Sequence, residues 1–193
     1  MADTEMSESE LWADFTEKMK EGIVASFDQN VLTFEEDIRR LDSQRQMPGW
    51  NYCTFFILKE GLTNAYEMMN LHEEALRQYD ELEASFFQIL RDNALTWYGK
   101  FGGMQEGDDD ANLLDLNKKP YRDLIMQNTI SVFDFRTYLF GRQCNLLFRL
   151  RRPAEICHRA LIFIPSFART VREHVVSGKA RHGLLTTCES APY

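Results

Sequence analysis

The chain has 193 residues, is 44% hydrophobic and 27% charged, and carries a formal net charge of −8. That length suits one domain or a pair of small units with a buried core, and the composition excludes wholesale disorder and fibrous repeats. An acidic start (Asp3, Glu5, Glu8, Glu10, Asp14, Glu17) is the reverse of a signal peptide, and no stretch approaches the roughly 18 apolar residues of a membrane-spanning helix.

Leu11, Phe15, Met19, Ile23 and Phe27 recur every four residues, and Val31, Phe34, Ile38 and Leu41 continue at spacings of three and four. This predicts an amphipathic helix or helix pair over 1–47, since such positions stack on one helical face. The pattern fits one long helix or two broken near 28–30. Pro48-Gly49 is a turn signal. A first helical hairpin follows over 48–98. Its first helix, 52–69, carries Phe55, Leu58, Leu62, Ala65 and Met69 on one stripe, with Phe56 and Tyr66 on a second edge. Its second carries Ala75, Tyr79, Leu82, Phe86 and Ile89, entered through a capping box of Asn70 and Glu73.

Residues 99–120, with Gly99, Gly102, Gly103 and Gly107 ahead of Asp108, Asp109 and Asp110, read as a flexible acidic loop. A second helical hairpin spans 121–165. Val132, Phe135, Leu139, Leu146 and Leu150 form one stripe of its long helix, and Phe140, Cys144 and Leu147 another. Pro153 starts the partner helix, with Ile156, Ala160 and Phe163 apolar, and Pro165 ends it. Residues 166–193 then read as a short helix, capped by Ser166 and stopped by Gly178, plus an irregular tail. The spacing Asn70-Leu71-x-x-x-Ala75-Leu76-x-x-Tyr79 is tetratricopeptide-like, and 151–161 is a looser version. The expected fold is therefore all-α, a stack of antiparallel helical hairpins forming a tetratricopeptide-like α-solenoid segment.

Charge divides along the chain. Residues 1–135 hold 12 Lys and Arg against 27 Asp and Glu, a net of −15, whereas 136–193 hold 10 against 3, a net of +7. The acidic part argues against a nucleic-acid partner. Cys53, Cys144, Cys157 and Cys188 lack ligand-like spacing, which suits reduced thiols in the cytosol.

No catalytic, cofactor or metal constellation emerges. His72, His158, His174 and His182 stand apart, and Cys157 and His158 diverge by about 100° on a helix, poor geometry for one metal. Gly99-Lys100-Phe101-Gly102-Gly103 lacks the Gly-Lys-Ser/Thr of a phosphate loop. The acidic run at 108–110 lacks the alternating ligands and closing Glu of a calcium loop. Glu73, Glu74, Asp80, Glu81 and Glu83 read as a solvated helix face, and Phe86, Phe87, Trp97 and Tyr98 as packing rather than a ligand cage. The most suggestive charges are Arg142, Arg149, Arg151 and Arg152. They suit an acidic protein partner or anionic lipid head groups, where each basic residue adds about 1 kcal/mol.

Longer strings carry a resemblance. Pro48-Gly49-Trp50-Asn51 and Cys53-Thr54-Phe55-Phe56-Ile57-Leu58-Lys59-Glu60 resemble the subunit 10 family of the trafficking (transport) protein particle complex, TRAPP. So do Gln78-Tyr79-Asp80-Glu81-Leu82-Glu83-Ala84-Ser85-Phe86-Phe87, Pro120-Tyr121-Arg122-Asp123-Leu124-Ile125 and Asn128-Thr129-Ile130-Ser131-Val132-Phe133-Asp134-Phe135-Arg136. Tyr138-Leu139-Phe140 and Arg142-Gln143-Cys144 continue the likeness, which covers roughly 34–164 and fades after 171 and around 102–116. Members of that family are several-fold longer, so the chain resembles a fragment or truncated isoform. The resemblance implies a non-enzymatic scaffold segment of a vesicle-tethering assembly in the cytoplasm, peripheral to Golgi membranes. Its implied partners are other TRAPP subunits and, indirectly, a Rab-family GTPase whose nucleotide exchange the assembly promotes; no exchange residue carries over. The competing expectation is a generic tetratricopeptide-like peptide-binding module of another cytosolic complex.

Overall fold

A computed structural model describes residues 7–91 and 113–188, with side chains in the last helix described as far as 169 and at Arg172. The described residues are all-α, with no strand among them. The expected loop at 99–120 lies mostly outside the described residues. The chain divides into two compact units, 1–71 and 72–193.

In the first unit α1 (Glu8–Ser43) is one unbroken helix, which resolves the choice left open near 28–30. It starts in a capping box: the Ser7 hydroxyl accepts from the Glu10 amide, and the Glu10 carboxylate accepts from the Ser7 amide at 2.7 Å. α2 (Tyr52–Met68) opens on Asn51, whose side chain accepts from the Cys53 amide at 2.8 Å. The two helices pack antiparallel, with Phe27 edge-on to Tyr66 and the Phe34 ring against Gly61. Trp50 closes the turn between them by donating to the Leu41 carbonyl at 2.9 Å, while the Arg45 guanidinium lies over the Trp50 and Phe55 rings.

α2 ends differently from the expected capping box. Asn70 adopts φ +58°, its amide donates to the Glu67 carbonyl, and the Leu71 amide reaches back to Tyr66. This is a Schellman ending, in which an Asn in the left-handed region satisfies the helix's last carbonyls. Asn70 thus terminates α2 rather than capping its successor, which starts at His72.

In the second unit α3 (His72–Arg91) presents Ala75, Leu76, Tyr79, Leu82, Phe86 and Ile89, all buried. This face packs antiparallel on α5 (Val132–Arg149), with the Phe86 and Phe135 rings 4.5 Å apart. A short α4 (Tyr121–Met126) adds the Tyr121–Tyr138 ring contact. α6 (Pro153–Cys188) covers the other side of α5, stacking Phe163 on Phe140 at 4.2 Å and Phe167 near Phe133 at 4.3 Å. α5 is therefore covered on two sides, and that explains its two apolar stripes.

α6 does not stop where the sequence pattern placed the stop. It runs through Pro165 to Cys188, across the residues read as a short helix and irregular tail. Proline costs a helix the bond to the carbonyl four residues earlier. Here that carbonyl belongs to Leu161, which is 74% exposed, so the interruption falls on the solvent side of the helix, where water can take the lost partner's place.

Candidate interaction site

The four arginines singled out from sequence separate into two pairs. Arg142 turns inward: its Nε donates to the Tyr79 hydroxyl at 2.7 Å, and its guanidinium lies 5.4 Å from that ring's centre. Arg152 bridges two acids, reaching Glu73 on α3 at 3.1 Å and pairing with Glu155 in the first turn of α6. Both serve the fold. Arg149 and Arg151 are exposed, on the last turn of α5 and in the link to α6. Arg151 has φ +57°, and it ends α5 as Asn70 ends α2: its amide donates to Phe148, and the Arg152 amide to Leu147.

Sequence reasoning missed the polar centre of the second unit. Arg159 donates to both oxygens of Asp80, at 2.5 and 2.9 Å, and to Glu155 at 2.8 Å. Those hydrogen bonds, Asp80's first, raise the Arg159 pKa, and the Arg159 bond holds the Glu155 carboxyl below its ordinary value. Gln143, 1% exposed, donates to Asp80 and Glu83, at 2.9 Å each. Arg136 is also buried; it donates to the Ser166 hydroxyl at 3.0 Å and lies over the Phe87, Phe163 and Phe167 rings. Burial lowers its pKa, with Glu83 acting the other way. A cavity of about 160 Å³ lies among these groups. The carboxylates read as a solvated face thus include two, Asp80 and Glu83, that bind α3 to α5 and α6.

No group of three His, Cys, Asp or Glu among the described residues could hold a metal ion. Cys53 and Cys144 are buried, and burial pushes the Cys144 thiol up to about 11, far from nucleophilic thiolate chemistry. Cys157 and His158 are both exposed. The run at 108–110 and the side chains of His174 and His182 lie outside the described residues. No helix among the described residues is long and apolar enough to cross a membrane.

A second surface lies on the first unit. Leu11, Trp12, Phe15, Met19, Ile23 and Val24 are each about half exposed or more. They continue the stripe that α2 covers further along α1. At 1.5 Å per residue α1 is about 54 Å long and α2 about 26 Å, so α2 can cover only half of it. Where α2 runs out, a groove of about 520 Å³ is lined by Phe15, Met19, Ile23, Phe27, Met68 and Met69, among others.

These features define a helical protein whose polar groups lock helices together and whose free apolar and basic surfaces face outward. Residues 1–45 match a family model described as "Trafficking protein particle complex subunit 10-like, N-terminal". The chain is 43% identical over 164 residues to a rice protein named trafficking protein particle complex II-specific subunit 130 homolog, covering 85% of this chain and 13% of that protein. It is 39% identical over 180 residues to trafficking protein particle complex subunit 10 of Dictyostelium discoideum, covering 86% and 12% respectively. The human protein of that name is 36% identical over 159 residues, 79% of this chain and 12% of its own length. The chain belongs to the trafficking protein particle complex subunit 10 family, and it spans about an eighth of the length of the curated relatives it matches. No solved structure matches it.

Proposed function

We propose that the chain is a non-catalytic scaffold segment of the TRAPP vesicle-tethering assembly. It acts at Golgi membranes from the cytoplasmic side and supports Rab GTPase nucleotide exchange by the assembly without contributing an exchange residue. The observation that carries this reading is identity of 30–43% to named TRAPP subunits, over 79–86% of the chain. The geometry is compatible with it. Arg159, Asp80, Gln143 and Arg142 fasten three helices into a fixed frame. Stacking of helical hairpins into an α-solenoid is part of the proposal, and the antiparallel α5–α6 pair supports one such hairpin within 121–165.

Within this reading Arg149 and Arg151 meet an acidic partner surface or anionic head groups, while Arg142 and Arg152 hold the frame behind them. The experiment is recovery of TRAPP subunits by the tagged 193-residue chain, its folding checked by circular dichroism. At least one subunit is expected, and recovery of none by a folded chain overturns the docking role. Flotation with neutral and anionic vesicles separates the two contacts for the arginine pair: lipid contact requires binding to anionic vesicles only.

A further inference from the structure

Two apolar faces are left uncovered by the described residues, and their charges are opposite. On α1 the open stripe of Leu11, Phe15, Met19 and Ile23 is set among Glu8, Glu10, Asp14, Glu17 and Glu21, against only Lys18 and Lys20. Those two lysines are already paired, with Asp14 and Glu17. On α6 the outer face carries Leu161, Ile162 and Ile164, which are 74%, 62% and 52% exposed. Between Ile156 and Arg172 that helix has no acidic residue, and Arg169 and Arg172 are exposed beside the apolar face.

We propose that the acidic apolar stripe of α1 docks on the basic apolar face of α6 of a second copy of the chain, head to tail. Each face has the spacing that helix–helix packing needs. The open part of α1 continues the register α2 already uses, and Leu161, Ile164, Pro165 and Ala168 stand at i, i+3, i+4 and i+7, one helical face. A pairing of α1 with α1 sets acid against acid, and α6 with α6 sets base against base, so charge selects the mixed contact. The groove at the α1 stripe is lined by Met19, Met68 and Met69, whose unbranched side chains adjust to an incoming helix, and Gly22 offers an open approach with no atom within 4 Å of an added Cβ. A contact between unlike patches is heterologous, so copies add head to tail until the rotation between them closes the assembly.

The test is sedimentation velocity of the 193-residue chain, of 22.6 kDa, across a hundredfold range of concentration at low and high salt. The average mass is expected to rise with concentration at low salt and to fall back at high salt. A Phe15→Asp, Met19→Asp variant and a Leu161→Asp, Ile164→Asp variant are each expected to be monomeric. All four side chains are about half exposed or more, and circular dichroism verifies that both variants fold. Mixed in equal amounts, the two variants are expected to form a dimer and nothing larger, because each retains the face the other has lost. A monomer at every concentration overturns the proposal. So does association of either variant alone, which marks a like-with-like contact, and so does a mass indifferent to salt.

Discussion

Arg159 on α6 holds Asp80 on α3 through two parallel hydrogen bonds, Nη1 to Oδ1 at 2.5 Å and Nη2 to Oδ2 at 2.9 Å, across 79 residues of sequence. The same carboxylate accepts from Gln143 of α5, so one acid joins three helices. Charge-assisted, bidentate bonds are the strong ones. Asp80→Ala removes both and leaves the nearly inaccessible Gln143 amide with Glu83 alone, so about 2 kcal/mol of stability is expected to be lost. Urea unfolding of Asp80→Ala, Arg159→Ala and the double variant checks this. If the two residues act as a pair, the double variant loses less than the sum of the singles. Strict additivity would show that the contact is not stabilising.

The Glu155 carboxyl gives this network a pH dependence. Its hydrogen bond to Arg159, with the Arg159 and Arg152 charges, lowers its pKa from the ordinary 4.5 despite some burial. The folded state therefore binds the Glu155 proton more weakly than the unfolded state. Its contribution is complete above about pH 4.5 and is lost as the pH falls below that. Glu155→Gln is expected to lower the urea midpoint at pH 7, and its difference from the unaltered chain should narrow in acid. A difference equally wide at pH 3 and pH 7 contradicts the assignment.

What the sequence revealed and what it hid follow from the range of the interactions. The stripe from Leu11 to Leu41 and the face from Ala75 to Ile89 are periodic in sequence, and they became α1 and the buried side of α3. That α2 stops short of half the α1 stripe was hidden, because periodicity records which residues share a face, not what covers it. Asn70 misled because asparagine serves two ends of a helix: its side chain caps a start, and its tolerance of positive φ closes an end. The contacts of Arg142 and Arg152 were hidden because their partners, Tyr79 and Glu73, lie 63 and 79 residues away.

Gly61 sets how closely α1 and α2 approach. A Cβ added there lies 2.7 Å from Phe34 Cε1, closer than carbon atoms tolerate. Alanine gains about 1 kcal/mol of helix propensity over glycine, but overpacking against a ring costs about 1–3 kcal/mol. Gly61→Ala is therefore expected to destabilise by about 1 kcal/mol. Phe34→Leu in the same chain should relieve the clash and recover part of the loss, as read by thermal unfolding. A stabilised Gly61→Ala would mean that the Phe34 ring moves aside freely.

Burial separates the thiols. Cys144 is fully buried with its pKa near 11, Cys53 is buried, and Cys157 is exposed on α6. Iodoacetamide at pH 7.5 followed by peptide mapping is expected to modify Cys157 first among these three. Cys144 should react only as urea unfolds the second unit. Labelling of Cys144 in the native chain at a rate close to that of Cys157 would show that the α5–α6 seam opens readily.

Arg151 offers a way to separate stability from binding. Its φ of +57° places a side chain with a Cβ in the left-handed region, at a cost of about 1–2 kcal/mol that glycine avoids. Glycine returns part of that gain through the larger entropy of its unfolded chain, leaving a net stabilisation of about 0.5–1 kcal/mol expected for Arg151→Gly. The Schellman bonds from its own amide to Phe148 and from Arg152 to Leu147 are backbone bonds and survive the change. If Arg151 also contacts a partner or an anionic surface, the same variant binds more weakly while unfolding at higher urea, so misfolding cannot account for the loss. Arg149→Ala, on the regular last turn of α5, is the companion: weaker binding with stability nearly unchanged. Unaltered subunit recovery and vesicle flotation for both variants would remove this pair of arginines from the interaction surface.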